Sequence, residues 1–543
     1  MCPGRRLLAF PGANRCSPGR GALAPAGARS RTVTGLAASR LPSIAPAAVA
    51  LRVLLIAPWL WPLATGPSPA LLPWLFSVAC AAAATLLAAR WPQSLPGAAV
   101  QAWVWAAGLS SLIGLLQYAG ASAAWAPLVN VTSLGEAFGN LRQRNQFATL
   151  TSIGLASVLA LLAMAPHRAA PPPPWRPPAV HALVMLMALA NAASSSRTGL
   201  MQLGLLVLLA ALWAPWRRAA VRSALFAALL AYAAGAALLP RLVGLDPLSS
   251  GIVARLQDGA PSCQSRITLW ENVLYLIAQR PWSGWGWGAL DEAHFMAAYP
   301  GPRFCDILDN AHNLPLHLAV ELGVPVALLV CGLLAMAVWR QRPWRETDPW
   351  RQLAWAVLAL VGVHSLLEYP LWYGPFQIAC ALSVWLLAVR LPVATERAAP
   401  QPPATRSSGA PVVASVLAGL VLVACAYTAW DYRRASQIYL APSERAAAYR
   451  VDTLAKLQAS WLFARQVQFA ELTTTRVTPD NAAYLHAMAL RLLRFSPEPR
   501  VVEKIIDSAL LLGLDDEARL YLDRLQAAYP EAHAAWLRAR ARP

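Results

Sequence analysis

The sequence predicts an all-α fold: a polytopic membrane helix bundle of about 11 spans, with a periplasmic loop domain and a C-terminal helical-hairpin (TPR-like) domain. Three observations predict it. The 543-residue chain is 57% hydrophobic and only 13% charged, where a soluble domain carries about 25% charged residues. Apolar runs recur along it at lengths near the roughly 17 to 25 residues that a helix needs to cross a bilayer. Its arginines gather in short clusters between alternate runs, the pattern of charge kept on the cytoplasmic side of membrane helices.

The charge balance, 45 − 26 = +19, would suit a nucleic-acid partner if it formed one patch. Its division among loops argues against that, and no nucleic acid is expected. The lipid bilayer is the expected partner of most of the surface.

Residues 1–42 are rich in Arg, Gly, Pro and Ala, have no periodicity, and read as a disordered basic cytoplasmic tail. They lack the short apolar core and cleavage site of a simple signal peptide. Apolar runs follow at about 43–64, 70–90, 98–118, 147–165, 179–195, 198–214, 220–240, 314–339, 352–369, 374–391 and 411–430. With the N-terminus inside, the cytoplasmic loops carry Arg90; Arg168 and Arg176; Arg217, Arg218 and Arg222; Arg340, Arg342, Arg345 and Arg351; and Arg390, Arg397 and Arg406. The bias agrees with the span order at every turn. It predicts a multi-pass inner-membrane protein, with the outward segments at 119–146, 194–198, 241–313, 368–374 and from 431 onward. The domains expected are therefore the tail 1–42, a transmembrane domain 43–430 with its periplasmic loop 241–313, and a periplasmic helical domain 431–543.

The last of these alternates apolar and charged positions with helical period, as in Val501-Val502-Glu503-Lys504-Ile505-Ile506-Asp507. Ala518, Tyr521, Tyr529 and Pro530 follow in the order of a tetratricopeptide helix pair. A generic helical bundle fits the same pattern.

The eight cysteines have no C-x-x-C spacing, and most lie in apolar runs. Cys263 and Cys305 fall together in the longest loop, where an oxidising compartment would permit a disulfide and a reducing one would leave two thiols.

Unusual polar residues collect at four outward stations. Gln143-Arg144-Asn145-Gln146 opens the fourth run, where amides and a cation suit either a sugar or phosphate ligand or a helix cap. Ser194-Ser195-Ser196-Arg197-Thr198-Gly199 places a cation at the membrane boundary, with an anionic lipid phosphate as its natural partner. The long loop holds Ser265-Arg266, Trp270, the run Arg280-Pro281-Trp282-Ser283-Gly284-Trp285-Gly286-Trp287-Gly288, and Asn310-Ala311-His312-Asn313. The glycine run follows no strand, so it is not read as a nucleotide fingerprint; a tight turn with interfacial tryptophans or a platform for sugar rings fits it. His312 can accept a proton near neutral pH, and Glu321 is expected further along the same helix. In the fourth station, His364 and Glu368 are four apart and would share a helix face as a hydrogen-bonded pair, beside Pro370 and Tyr373. No third group completes a metal site, and neither a metal nor a cofactor is expected.

In this order the motifs resemble the O-antigen ligase and polymerase superfamily, and within it the PglL-type protein O-oligosaccharyltransferases. The resemblance rests on Gln143 to Gln146, Ser196 to Gly199, Arg266 with Trp270, Pro281 to Gly288, Ala311 to Asn313 with Glu321 and Gly323, and His364 to Tyr373, and it covers residues 40–430. It implies a metal-independent, inverting transfer from an undecaprenyl-pyrophosphate glycan to a hydroxyl of a periplasmic protein. Arg197 and Arg266 would hold the pyrophosphate, and His312 would act as general base or would orient the acceptor hydroxyl. Gln143, Asn145, Gln146, Asn313, His364, Glu368 and Tyr373 would line the substrate site. No residue stands out as a second catalytic acid: Glu136, Asp306, Asp309, Glu321 and Glu368 are all candidates. Ligation onto lipid A-core and repeat-unit polymerisation share the donor and remain alternatives. A transporter or flippase would place ionisable groups along several spans, and these runs are nearly free of them; a non-catalytic scaffold with a helical binding domain is the remaining reading.

Overall fold

A computed structural model describes residues 46–165, 176–257, 262–389 and 409–541. The tail expected at 1–42 lies outside them, as do Arg168, Arg390, Arg397, Arg406 and the side chain of Arg176. Every regular element among the described residues is helical. The first seven apolar runs fold as α1 (Pro46–Leu60), α2 (Leu71–Arg90), α3 (Leu95–Tyr118), α4 (Arg144–Met164), α5 (Arg176–Ala193), α6 (Arg197–Leu212) and α7 (Ala219–Leu242). The long connection then carries α8 (Gly251–Gln257), α9 (Arg266–Gln279), α10 (Leu290–Met296) and α11 (Leu314–Leu322). After it come α12 (Val324–Gln341), α13 (Pro349–Ser365), α14 (Gly374–Ala388) and α15 (Gly409–Ser436). The remaining helices are α16 (Thr453–Leu457), α17 (Ala464–Thr474), α18 (Ala482–Leu493), α19 (Pro499–Leu511), α20 (Asp515–Ala528) and α21 (Pro530–Arg540). Among the described residues, six helices are long and apolar enough to cross a membrane, spanning Leu71–Arg90, Pro92–Tyr118, Arg144–Met164, Ala219–Leu242, Val324–Arg345 and Pro411–Tyr439, whereas α1, α5, α6 and α14 are apolar but shorter.

The centre of the bundle is α4, which packs on α3, α5, α6, α7 and α13. Its most apolar window is 83% buried, against 6% for those of α12 and α15, so α4 is walled by protein while α12 and α15 lie at the periphery. Burial in that position favours polar side chains that find partners within the protein. Thr149, Ser152 and Ser157 accordingly donate to carbonyls one turn back, at 2.8, 2.9 and 2.8 Å. Asn191 of α5 donates to Thr151 at 2.9 Å, and Gln202 of α6 bridges Thr149 and the Leu360 carbonyl, both at 2.9 Å. Small residues let these helices approach: a side chain at Gly199 would collide with Asn191 and Ala148. The effect is to fix the first residues of α4 and α6 beside the last turn of α13.

The eighth apolar run is not one helix, as the sequence reading expected, but two, broken at Gly323. Its φ of +88° suits glycine alone, and a Cβ there would strike the Trp282 carbonyl. The cause of the break is the loop 281–288, which lies across the end of α11. Trp285 N and Gly286 N donate to the carbonyls of Val320 and Glu321, both at 2.9 Å, and Val324 N donates to the Pro281 carbonyl at 2.8 Å. Gly284, φ +63°, allows this contact, because a Cβ on it would meet the backbone of Glu321. The Pro281–Gly288 run is therefore a backbone clamp on α11.

Two further ties position the segment before α11. Asn272 of α9 donates to the Pro302 carbonyl at 3.0 Å and accepts from Phe304 N at 2.8 Å. Cys263 and Cys305 are joined in a disulfide, with Cα atoms 5.3 Å apart. Beyond α15, helices α17 to α21 pack in succession over a core of Leu485, Leu492, Val501, Ile505 and Leu525 that also takes in Phe295 of α10. The ring of Phe295 stacks on Tyr529 at 6.2 Å.

Gly323→Ala should lower the thermal unfolding midpoint in detergent by several degrees, because strain of this kind costs about 1–3 kcal/mol. Gly97→Ala, where a Cβ meets nothing within 4 Å, is the reference; equal midpoints would contradict the clamp. Peptide mapping without reductant should recover Cys263 and Cys305 in one linked species, and two free thiols would rule the bridge out.

Candidate active site

Three helices begin at one place, and each begins with an arginine. Arg144 opens α4, Arg197 opens α6 and Arg266 opens α9. The preceding residues cap them: Gln143, Ser196 and Ser265 accept from Gln146 N, Gly199 N and Thr268 N at 2.9, 3.1 and 3.1 Å. A cation in the first turn opposes the helix dipole and costs about 0.3–1 kcal/mol each time. Helix formation does not select this arrangement; an anionic ligand would.

The hub is Glu368, in the turn after α13. Its Oε1 accepts from the guanidinium of Arg266, as an ion pair, and from Asn145 Nδ2 at 3.1 Å. Its Oε2 lies 2.7 Å from His312 Nδ1. Asn145 in turn accepts from Ser196 Oγ at 2.6 Å. One carboxylate thus ties α4, α9, the start of α6 and the turn before α11 to the end of α13. Its side chain is only 8% exposed. Burial works to raise the Glu368 carboxyl, but the hydrogen bond from and charge of His312, with Arg266 and His364, outweigh it and hold the group below its ordinary range.

His312 occupies a left-handed conformation, φ +49°, unusual for a residue with a side chain. Its amide donates to Asn310 Oδ1 at 2.8 Å, and Trp270 Nε1 donates to the Ala311 carbonyl at 3.0 Å. Arg266 and Trp270 are one turn apart on α9, so the same helix face that presents the guanidinium also fixes the backbone of the histidine. Tyr369 packs edge-on against the His312 ring at 5.0 Å. Asn313 caps α11, accepting from Leu316 N at 3.1 Å, and donates to the Leu366 carbonyl at 3.0 Å.

A fourth guanidinium, missed in the sequence reading, belongs to Arg255 of α8. It donates to the Ser195 carbonyl at 3.3 Å. Burial first, and then the charges of Arg144, Arg197 and Arg266, push it below the ordinary arginine value. Arg144 pairs with Glu136 and Arg266 with Glu368. Four cations against two carboxylates leave 4 − 2 = +2 around the cluster, with Arg197 exposed on it.

Two expected relations are corrected. His364 and Glu368 do not pair side chain to side chain. Tyr369, preceding Pro370, has φ −125°, as a residue before proline prefers, and α13 ends at Ser365. Glu368 turns to His312, while the buried His364 ring meets Thr149 Oγ1 at 3.0 Å through Nδ1. Glu321 does not follow His312 on one helix, because α11 starts only at Leu314; it accepts from Gly288 N at 3.0 Å. Gln146 is buried, and its side chain hydrogen-bonds the Tyr373 hydroxyl.

Three family models match the chain: "Protein glycosylation ligase" over 137–162, "O-Antigen ligase" over 182–331, and "Virulence factor membrane-bound polymerase, C-terminal" over 352–542. These matches support the PglL-type O-antigen ligase superfamily for the chain. Those three matches contain every residue of the Glu368 hub, since Asn145 lies in the first, Ser196, Arg266 and His312 in the second, and Glu368 in the third. A curated member, the general O-oligosaccharyltransferase of Acinetobacter baylyi (strain ATCC 33305 / BD413 / ADP1), is 25% identical over 299 residues, 54% of this chain and 50% of that protein. The chain thus matches about half the length of this ligase-superfamily relative. No solved structure matches the chain.

The depressed Glu368 value sets a pH dependence. Ionised Glu368 stabilises the fold fully above its ordinary value of 4.5, and the contribution is lost as pH falls through the lowered folded value. The difference in thermal midpoint between the parent protein and Glu368→Gln should therefore be constant at neutral pH and shrink below about pH 4.5. A difference that stays constant through the acid range would refute this assignment.

Proposed function

We propose that the chain is a membrane glycosyltransferase that moves a glycan from undecaprenyl-pyrophosphate to a hydroxyl of a periplasmic protein. The observation that carries this reading is the His312–Glu368 pair, 2.7 Å apart, standing against a guanidinium cluster with two positive charges in excess. In this reading the chain crosses the bacterial inner membrane about eleven times, with its N-terminus in the cytoplasm. The site, the loop 241–313 and the helical domain 431–543 lie outside, where a disulfide is stable.

Glu368 accepts the Nδ1 proton of His312, which leaves a lone pair on Nε2 for the acceptor. The acceptor O–H passes its proton to Nε2 while its oxygen bonds the anomeric carbon. The bond from that carbon to the lipid pyrophosphate breaks, and its electron pair leaves with the pyrophosphate, so the configuration inverts. Arg197, Arg255 and Arg266 meet the charge that develops there, with fork geometry suited to phosphate oxygens. Glu368 offsets the imidazolium until the proton is released to water. The donor is already activated, so no nucleotide is consumed.

Purified protein in nanodiscs should transfer glycan from a lipid-linked oligosaccharide to a pilin-like peptide containing Ser or Thr. Transfer to lipid A-core alone would overturn the acceptor, and no transfer to either would overturn the reading. His312→Ala should lower kcat about 10²–10⁴-fold, the range of general base catalysis. Arg266→Lys should fail to restore activity, because a point charge cannot replace the guanidinium fork; full rescue by lysine would contradict its assigned contact.

A further inference from the structure

A second site opens beside the reaction centre, reached along a row of aromatic rings. From His312, the ring of Tyr369 is 5.0 Å away, Trp372 is 5.3 Å from Tyr369, His317 is 5.6 Å from Trp372, and Trp287 is 6.1 Å from His317. The row ends in a cleft of about 570 Å³ walled by Trp74, Trp287 and Trp372, with Leu314, His317 and Gln377 among the rest of its lining. The elements that form it are fixed. Trp287 projects from the backbone clamp on α11, Trp372 from the turn before α14, and Trp74 is held by its Nε1 donating to Gln377 Oε1 at 3.1 Å.

The imidazole of His317 decides what the cleft is for. It is 97% buried, at 3% exposure, yet neither ring nitrogen has a hydrogen-bond partner. The one nearby carboxylate oxygen, Glu321 Oε2, is 3.5 Å from Nε2. Leaving a buried polar group without a partner costs about 1–3 kcal/mol. Burial, and then the charge of His312, lower His317 to about 4, so at neutral pH it presents one donor and one acceptor. Tryptophans that merely anchor a protein at a bilayer surface have no need of such a group between them. A hydrocarbon chain has no use for it either. A pyranose uses both features: its C–H faces lie on indole rings, and its hydroxyl edge meets a donor and an acceptor.

We propose that this cleft is a sugar subsite, which holds a ring of the donor glycan further from the pyrophosphate than the ring being transferred at its anomeric carbon. The proposal rests on the glycosyl-transfer reading and extends it to the recognition of the glycan itself. Arg266 meets Glu368 at Oε1, and His312, where the aromatic row starts, meets it at Oε2, so a glycan anchored at its pyrophosphate runs past His312 toward Trp372 and Trp287. The subsite makes the enzyme selective for glycans long enough to reach it.

The test is calorimetric titration of the full-length protein in nanodiscs. The probe is the oligosaccharide released by mild acid from the lipid-linked pool of the producing cells. Saturable binding is expected, with Kd raised at least tenfold in Trp287→Ala, Trp372→Ala and His317→Ala and unchanged in Trp339→Phe, a tryptophan remote from the cleft. Trp287 is 63% exposed, so its variant remains informative if His317→Ala fails to fold. No binding, equal Kd in the cleft variants, or displacement of the oligosaccharide by polyprenol would overturn the proposal. In transfer assays the same variants should lose at least tenfold in kcat/KM with the full donor and nothing with a donor bearing one sugar. Parent protein that binds the oligosaccharide in this way but transfers no glycan would leave the subsite standing and remove the transfer reading; transfer untouched by the variants would do the reverse.

Discussion

Glu368 holds a full negative charge where almost no water reaches it, and the geometry around it follows from that constraint. A carboxylate buried alone is very unfavourable, so it must be met by charge and by hydrogen bonds. Arg266, His312 and Asn145 meet it, from three segments distant in sequence. The dependence also runs the other way. Without the carboxylate, Arg266 would face Arg144, Arg197 and Arg255 with only Glu136 left to offset their repulsion. One acidic side chain therefore permits the basic cluster to assemble before any anion arrives, and it sets the tautomer and direction of the imidazole in the same contact.

That hub would be useless if its components drifted, and the rest of the bundle limits their movement. Asn145 is fixed because α4 is walled on all sides and its hydroxyls are tied to its own carbonyls and to Asn191 and Gln202. Ser196 is fixed because Gly199 lets α6 close on α4 and α5. His312 has no helix to hold it, and three separate devices replace one: the Asn310 side chain, the Trp270 indole and the Cys263–Cys305 bridge. The glycine-rich run, which resembles a nucleotide loop only in composition, clamps α11 by its backbone and delivers Trp287 to the neighbouring cleft.

The apolar runs were legible because each is dictated by local composition, and each folds as a single helix except the eighth, which is broken into two at Gly323. The four polar stations were legible because polar residues at the ends of apolar runs are conspicuous. The pairings between stations were not, because they join residues as distant as Asn145 and Glu368, 223 positions apart, or Gln146 and Tyr373, and no periodicity encodes them. His364 and Glu368 illustrate the limit. Four-residue spacing places two side chains on one face only while the helix lasts, and here it ends at Ser365, before the second of them. Gly323 stands out in the sequence only as part of a motif, whereas its break in α11–α12 depends on a loop that arrives from about forty residues earlier. Arg255 carried no signal of its own, being one arginine among many in a seven-residue helix. The sign available in the sequence was a repeated anomaly: Gln143-Arg144, Ser196-Arg197 and Ser265-Arg266 each set a cation directly after a helix cap.

The electrostatics of that anomaly bear on how the proposed reaction can turn over. Guanidiniums stacked at helix starts, near a low-dielectric membrane, attract a phosphate strongly. Attraction that is equal for substrate and product does not accelerate the chemical step, and it would hold the spent lipid carrier in place. The carboxylates reduce the excess from four charges to two. A pyrophosphate diester carries about two negative charges, and it gains another as the glycosidic bond breaks. The cluster is thus balanced against the ground state and under-neutralised only by the charge that appears in transfer. On this argument Glu136 and Glu368 are as much a part of anion recognition as the arginines they touch, because they convert a general phosphate trap into a site whose attraction rises as the leaving group departs.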